Sequence, residues 1–468
     1  MGTSKKTTET PLRAADKRQD SDHKKIWSIA WPSIIAGSSA PLVGLVDTWA
    51  IGHLPEAKHL AAIAFASTIF TYIFWAFGFL RMGTTGLIAQ SIGKYRNPEN
   101  QKAALARVMI RALFFAFFIG GILLIFQAIF FQTAASLLSP PTPVIDASKP
   151  YYDIRIWSSI ATLSIYGING YLIGTAQAKM SLGLTLSLNI LNGALNFLFV
   201  VGLNLGVAGV ALGTLIAEWI VVLLGLVILV KQLGSRTLLF AVTNKLTWHR
   251  DKLLRFININ SALFIRTLLL ITALAMVTRE AAVYGAETMA AAQVLMVYML
   301  LISLGLDGFA YAAEALAGAA YGAKDKRQFK AFVIKGFIWS AGASVLYTVL
   351  FGTFSPIITA LLTDIPNVRL EVSKAYLPLT FLPMIAFSCY QFDGVFIGAT
   401  ASKAMMGTML IAFIPYIFSL SYLAEMYGIA GIWWALTLFM GLRGGAQLVW
   451  YPFILRRMEK EPTKRASQ

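Results

Sequence analysis

The sequence predicts an all-α integral membrane protein of twelve transmembrane helices, arranged as two six-helix lobes related by an internal pseudo-two-fold repeat. Three observations carry this reading. First, the chain is too apolar for a soluble fold. Of its 468 residues 57% are hydrophobic and only 13% charged, where soluble domains carry roughly 25% charge, and the mean hydropathy is +0.68. Second, the chain repeats itself. The segment Asn169-Gly170 through Gly174 to Lys179 returns as Asp393-Gly394 through Gly398 to Lys403, Gly206-Val207-Ala208-Gly209 returns as Gly428-Ile429-Ala430-Gly431, and Gly93-Lys94 is echoed more weakly by Gly322-Ala323-Lys324. Third, positive charge alternates from one connection to the next.

Apolar runs of spanning length place helices near 26–52, 59–92, 103–131, 151–177, 181–204 and 207–231 in the first copy. The second copy has 252–279, 286–321, 329–355, 372–399, 404–424 and 428–455. The first span is interrupted by Pro32 and Pro41, each of which removes a backbone donor and can bend the helix. The second, 59–92, and its repeat mate 286–321 both exceed the roughly 20 residues that cross a bilayer, which predicts steep tilt or projection into the cytoplasm. In the long connection 132–149, Pro140-Pro141-Thr142-Pro143 predicts an extended turn, with a counterpart near 355–371 marked by Pro356 and Pro366. Six spans return the chain to its starting face, so the copies share one orientation and are related by an axis along the membrane normal. The expected organisation is a disordered cytoplasmic tail (1–25), an N-lobe (26–235), a cytoplasmic linker (236–252), a C-lobe (253–456) and a second cytoplasmic tail (457–468).

The formal charge of +17 does not indicate nucleic acid, because no folded basic domain accompanies it. Of the 39 basic residues, 29 fall in the tails, the connections 94–107, 231–255 and 324–335, and at Lys179 and Lys403. The positive-inside rule therefore puts both termini in the cytoplasm of a bacterial inner membrane, with the basic face against anionic lipid. Cys389 is the only cysteine, which excludes an intramolecular disulfide and a multi-thiolate metal site. The first 25 residues lack the apolar core of a signal peptide. The four histidines lie in tails or loops without metal-ligand spacing, and no phosphate-binding loop, nucleophile elbow or zinc-protease motif occurs. An enzyme is not expected, and neither is any cofactor or metal.

What remains are polar residues inside spans, which are costly there and therefore functional candidates. Asp47, in Gly44-Leu45-Val46-Asp47-Thr48-Trp49, has no basic neighbour in the chain. Helix rise brings Asn192, Asn196 and Thr214 to similar depth, with Tyr151 at the same side and Asn169 deeper. These groups either form a site or only bond helix to helix. In the second copy Arg266, Asp307 and Glu314 form a polar set. Asp307 and Glu314 are seven residues apart on one helix face, and Arg266 could neutralise one of them. A structural ion-pair network and a transport role both fit. Asp393, where the first copy has Asn169, is placed to pair with Lys403 at the interface.

Four segments together resemble the multidrug and toxic compound extrusion (MATE) family, in particular its DNA-damage-inducible protein F (DinF) branch. They are Pro41 to Leu54, Leu80-Arg81-Met82-Gly83-Thr84-Thr85-Gly86 to Gln90, Leu306-Asp307-Gly308-Phe309-Ala310-Tyr311 to Ala315, and Phe392-Asp393-Gly394 to Thr400. The resemblance implies a V-shaped pair of lobes that exports organic, often cationic compounds against inward protons or sodium. It implies an N-lobe site at Asp47, Tyr151, Asn169, Asn192, Asn196 and Thr214, and a bending proline at Pro32. Asn196 departs from the pattern, since relatives often carry a second aspartate there, and a lone Asp47 fits proton coupling better than sodium. A monomer working on a small organic substrate in the bilayer is expected. Two rival readings make different demands. A lipid flippase needs a cationic central groove, and an organic-anion exporter of the citrate type needs accessible Arg or Lys in the cavity, a role open to Arg266.

Overall fold

The computed structural model describes residues 21–39 and 57–460, and among these there is no strand. Asp47 and Pro41 lie outside the described residues. The helices run in chain order as α1 (21–39), α2 (Ala57–Phe77), α3 (Phe79–Lys94), α4 (Pro98–Ile125), α5 (Gln127–Leu138), α6 (Thr142–Arg155), α7 (Ser159–Gly174), α8 (Ala178–Asn196) and α9 (Gly206–Leu233). They continue as α10 (Ser235–Thr243), α11 (Arg250–Val283), α12 (Ala286–Gly322), α13 (Lys326–Leu362), α14 (Pro366–Lys374), α15 (Tyr376–Gly398), α16 (Ser402–Tyr427) and α17 (Ile429–Lys460). Ten stretches of the described residues are long and apolar enough to cross a membrane, and they coincide with ten of the twelve expected spans. The first expected span continues from α1 beyond the described residues. The fourth is not one helix. A single 3₁₀ turn, Ile156–Ser158, separates α6 from α7, where the Ser158 hydroxyl donates to the Arg155 carbonyl at 2.7 Å and competes with the helical ladder.

Several boundaries differ from the sequence reading, each for a local reason. The described residues are already helical at 21, inside the expected tail, and α17 continues to Lys460. The proline run makes a short corner, because Pro143 sits in the first turn of α6, where a missing N–H costs nothing. Pro356 lies within α13 and Pro366 opens α14. The over-long second span is jointed at Gly78 between α2 and α3, whereas its repeat mate α12 is one helix of 37 residues. The linker is itself built. Helix α10 packs on α4, and Arg111 of α4 donates to the Thr247 carbonyl at 2.7 Å.

Two apolar cores show how the lobes meet. One includes Leu80, Ile88, Leu163 and Val221 of the first copy together with Phe309, Ala317, Phe329, Val395 and Met405 of the second. The other, with Leu295, Tyr298, Leu379, Trp433 and Phe439, is confined to the second copy. Among the described residues the lobes thus share a core at the end that bears the basic connections, while the second core draws on the C-lobe alone. Glycines allow the fusion. A Cβ on Gly93 of α3 would lie 1.8 Å from the Ala319 carbonyl oxygen of α12, and one on Gly322 would lie 2.1 Å from the Gln90 carbonyl oxygen of α3. Gly93 and Gly322 are the pair related by the repeat. Their reciprocal packing puts the pseudo-two-fold axis between α3 and α12. The Gln90 side chain extends the seam, donating to the Gly398 carbonyl and the Thr400 hydroxyl, both at 3.0 Å.

Candidate functional site: a polar cavity between the lobes

Just beyond this seam lies a cavity of about 200 Å³, walled by α1, α3, α7 and α8 of the first lobe and by α12 of the second. Its polar lining is Ser33, Arg81, Asn169, Ser181, Thr185, Asp307 and Tyr311. On α12, Asp307, Tyr311 and Glu314 share a face because they are spaced four and three residues apart. Arg81 crosses from the opposite lobe and grips Glu314 with two bonds, Nη1 to Oε2 at 3.0 Å and Nη2 to Oε1 at 3.3 Å. Its guanidinium also sits 4.3 Å above the Tyr311 ring. Arg81 is therefore fully committed, and Glu314 behind it is buried. Asp307 differs. No described residue hydrogen-bonds or ion-pairs with its carboxylate, which lines the cavity. Asn169 lines the same cavity and accepts from the Ser181 hydroxyl at 2.9 Å.

The other N-lobe candidates form a separate group. Asn192 of α8 donates to the Thr214 hydroxyl of α9 at 2.8 Å, and Asn196 donates to Asn192 at 3.3 Å. The ladder is a continuous polar strip in an apolar lobe. Tyr151, on α6, is buried with its ring near Phe70. Close by is a buried ion pair that the sequence reading did not single out. Arg155 Nη2 donates to Glu218 Oε1 of α9 at 2.8 Å, Thr162 donates to the other carboxylate oxygen, and Arg155 also bonds Ser158. The Arg155 guanidinium lies over Phe70 and Phe74. Glu218 falls inside the span 207–231, so the rule that drew attention to Asp47 would have found it.

In the C-lobe, Arg266 pairs with Asp393 of α15, not with Asp307 or Glu314. Asp393 does not pair with Lys403. It accepts from Arg443 Nη2 at 2.8 Å and from Gln447 Nε2 at 2.6 Å, both on α17. Its partners on α11 and α17 enclose it, so a residue placed near an interface by counting is 8% exposed. Two arginines share one carboxylate, which leaves this cluster with one surplus positive charge. Among the described residues no group of three or more histidines, cysteines or acids is placed to hold a metal.

A family model described as MatE matches residues 32–198 and 262–423, one stretch in each lobe. The chain belongs to the MATE family. It is 33% identical over 424 residues to the DNA damage-inducible protein F of Escherichia coli, with 91% of each chain covered, which supports the DinF branch. It is 24% identical over 454 residues to Protein DETOXIFICATION 44, chloroplastic, of Arabidopsis thaliana, with 93% of this chain and 85% of that protein covered. Among solved structures it is similar in fold to the Vibrio cholerae MATE transporter VcmN in the bent form. The TM-score is 0.82 at 19% identity, with 94% of this chain and 99% of that one covered. The protein is thus a multi-pass membrane transporter of the multidrug and toxic compound efflux family, acting on small organic substrates in the bilayer. The two-lobed helical architecture read from the repeat is the MATE architecture.

Proposed function

We propose that this transporter exports organic cations in exchange for inward protons by alternating access. One observation carries the cation preference: the inter-lobe cavity contains a carboxylate, Asp307, that no described residue hydrogen-bonds or ion-pairs, while Arg81, the arginine among its described lining residues, is neutralised by Glu314. A cavity whose lining, with Glu314, carries one net negative charge attracts a monocation, and the same arrangement disfavours an organic anion. The reading takes Asp47 as the N-lobe proton site, supported by Tyr151, Asn169, Asn192, Asn196 and Thr214. The Thr214–Asn192–Asn196 ladder supplies neutral oxygens only, and a hard cation such as sodium prefers more anionic ligands. No cofactor is needed. Pro32 provides the flexible point in α1.

Both termini are taken to face the cytoplasm of a bacterial inner membrane, with the chain acting as a monomer. The fused basic end is then cytoplasmic, and the cavity belongs to the outward-facing half of the cycle. For exchange, proton and substrate must favour different conformations.

The experiment is dye export into inverted vesicles holding equal amounts of wild type, Asp47→Asn and Asp307→Asn. Asp47→Asn should lose response to the proton gradient. Asp307→Asn should lose cation export while inserting normally. Wild-type export by Asp307→Asn overturns the cavity reading, and citrate export in its place points to the organic-anion alternative.

A further inference from the structure

Resting on that reading of the cavity, we propose that Arg81 and Glu314 set the charge class of the substrate. Asp307 attracts the cation, but the number of charges the cavity tolerates is fixed by whether the Arg81–Glu314 pair cancels. The pair is built for this. Its members come from opposite lobes, Arg81 from α3 and Glu314 from α12. Arg81 lines the cavity, whereas Glu314 lies behind it, 1% exposed. Tyr311, one turn from Asp307, carries the Arg81 guanidinium on its ring face. With all groups ionised the cavity holds one net negative charge. Removing Arg81 alone leaves two carboxylates on one face of α12. Removing Glu314 alone frees a guanidinium in a cavity that already contains Asp307, and the net charge falls to zero.

A purely structural pair makes a different prediction. If the bond mattered only for holding the lobes together, losing either partner or both would impair all substrates alike. If charge matters, neutralising both partners restores the original sum and the original preference. An added or removed unit charge about 10 Å from the bound cation changes its affinity by about tenfold at an effective dielectric of about 20.

The test uses ethidium and propidium, which share a ring system but carry one and two positive charges. Export of each is measured in proteoliposomes of purified wild type, Arg81→Gln, Glu314→Gln and the double variant R81Q/E314Q. The expected result is a propidium-to-ethidium ratio raised about tenfold in Arg81→Gln. Ethidium export falls about tenfold in Glu314→Gln, and the double variant returns to the wild-type ratio. An unchanged ratio in Arg81→Gln, or a double variant no better than the worse single one, overturns the proposal. Should Arg81→Gln fail to insert, Glu314→Gln and the double variant still decide it, because only the charge argument predicts recovery between them. Asp307→Asn run in parallel separates the two levels: if it leaves ethidium export intact, the cation site itself is wrong. If it abolishes export while Arg81→Gln keeps the wild-type ratio, only the present inference falls.

Discussion

Substituting Gly93 by alanine probes the seam on which the proposed alternating access depends. The new Cβ would sit 1.8 Å from the Ala319 carbonyl oxygen and 2.7 Å from the Ala323 nitrogen. Both are backbone atoms, one in α12 and one in the residue that follows it, so no side chain can rotate away. Helices α3 and α12 must move apart by about 1 Å, a strain of the kind that costs about 1–3 kcal/mol in a packed interface. Alanine also favours the helix over glycine by about 1 kcal/mol, but that gain is present whether the seam is closed or open. The strain therefore falls on the closed seam alone and shifts the equilibrium toward the open one by about 5- to 150-fold. A minor open state of about 1% would rise to about 5–60%. Spin labels on cysteines replacing Arg96 and Arg327, exposed next to Gly93 and Gly322, read this as a second, longer distance. Gly407→Ala, where a Cβ meets nothing within 4 Å, is the control and should leave the distances alone. An unchanged distribution in Gly93→Ala would refute the assignment of this seam as the moving contact.

Other outcomes follow from the same geometry. Glu218→Gln should strip the buried Arg155 of its counter-charge and destabilise the N-lobe by about 3–5 kcal/mol, seen as a lower melting temperature in detergent. Pairing it with Arg155→Gln should recover most of the loss, and failure to recover would mean the pair is not the cause. A cysteine at position 245, beside helix α10, should resist a membrane-impermeant reagent applied to intact cells, and strong labelling would reverse the proposed topology. Export should continue without sodium and stop when the proton gradient is collapsed, whereas strict sodium dependence would mean that the Asn192–Asn196 ladder coordinates the ion after all.

The fold was legible because two signals act along the chain without reference to packing. Hydropathy marks each crossing, and the echo of Gly93 in Gly322 marks the symmetry that later brings the two glycines face to face. What resisted reading was pairing across the chain. Arg81 and Glu314 are 233 residues apart, and Arg266 and Asp393 are 127 apart. Counting along helices gives depth but not azimuth, so Arg266 was matched to α12 when its carboxylate lay on α15. The break between α6 and α7 was hidden for a different reason. Arg155 and Ser158 look like ordinary polar residues at a span edge until Glu218 is seen to draw the guanidinium inward.

The three polar clusters nearest the seam also explain how Asp307, which no described residue hydrogen-bonds or ion-pairs, is tolerated in a membrane. Arg81 and Glu314 cancel. Arg266 and Arg443 together exceed Asp393 by one positive charge. Asp307 supplies the missing negative charge without touching either arginine, so the six groups sum to zero when all are ionised. A monocation bound beside Asp307 is held by that carboxylate and leaves the network with one surplus positive charge. A dication would leave two, in a low-dielectric setting where unbalanced charge is costly. Under the proposed exchange, with the counter-proton taken by Asp47, that surplus favours release of the cation once it has been carried across.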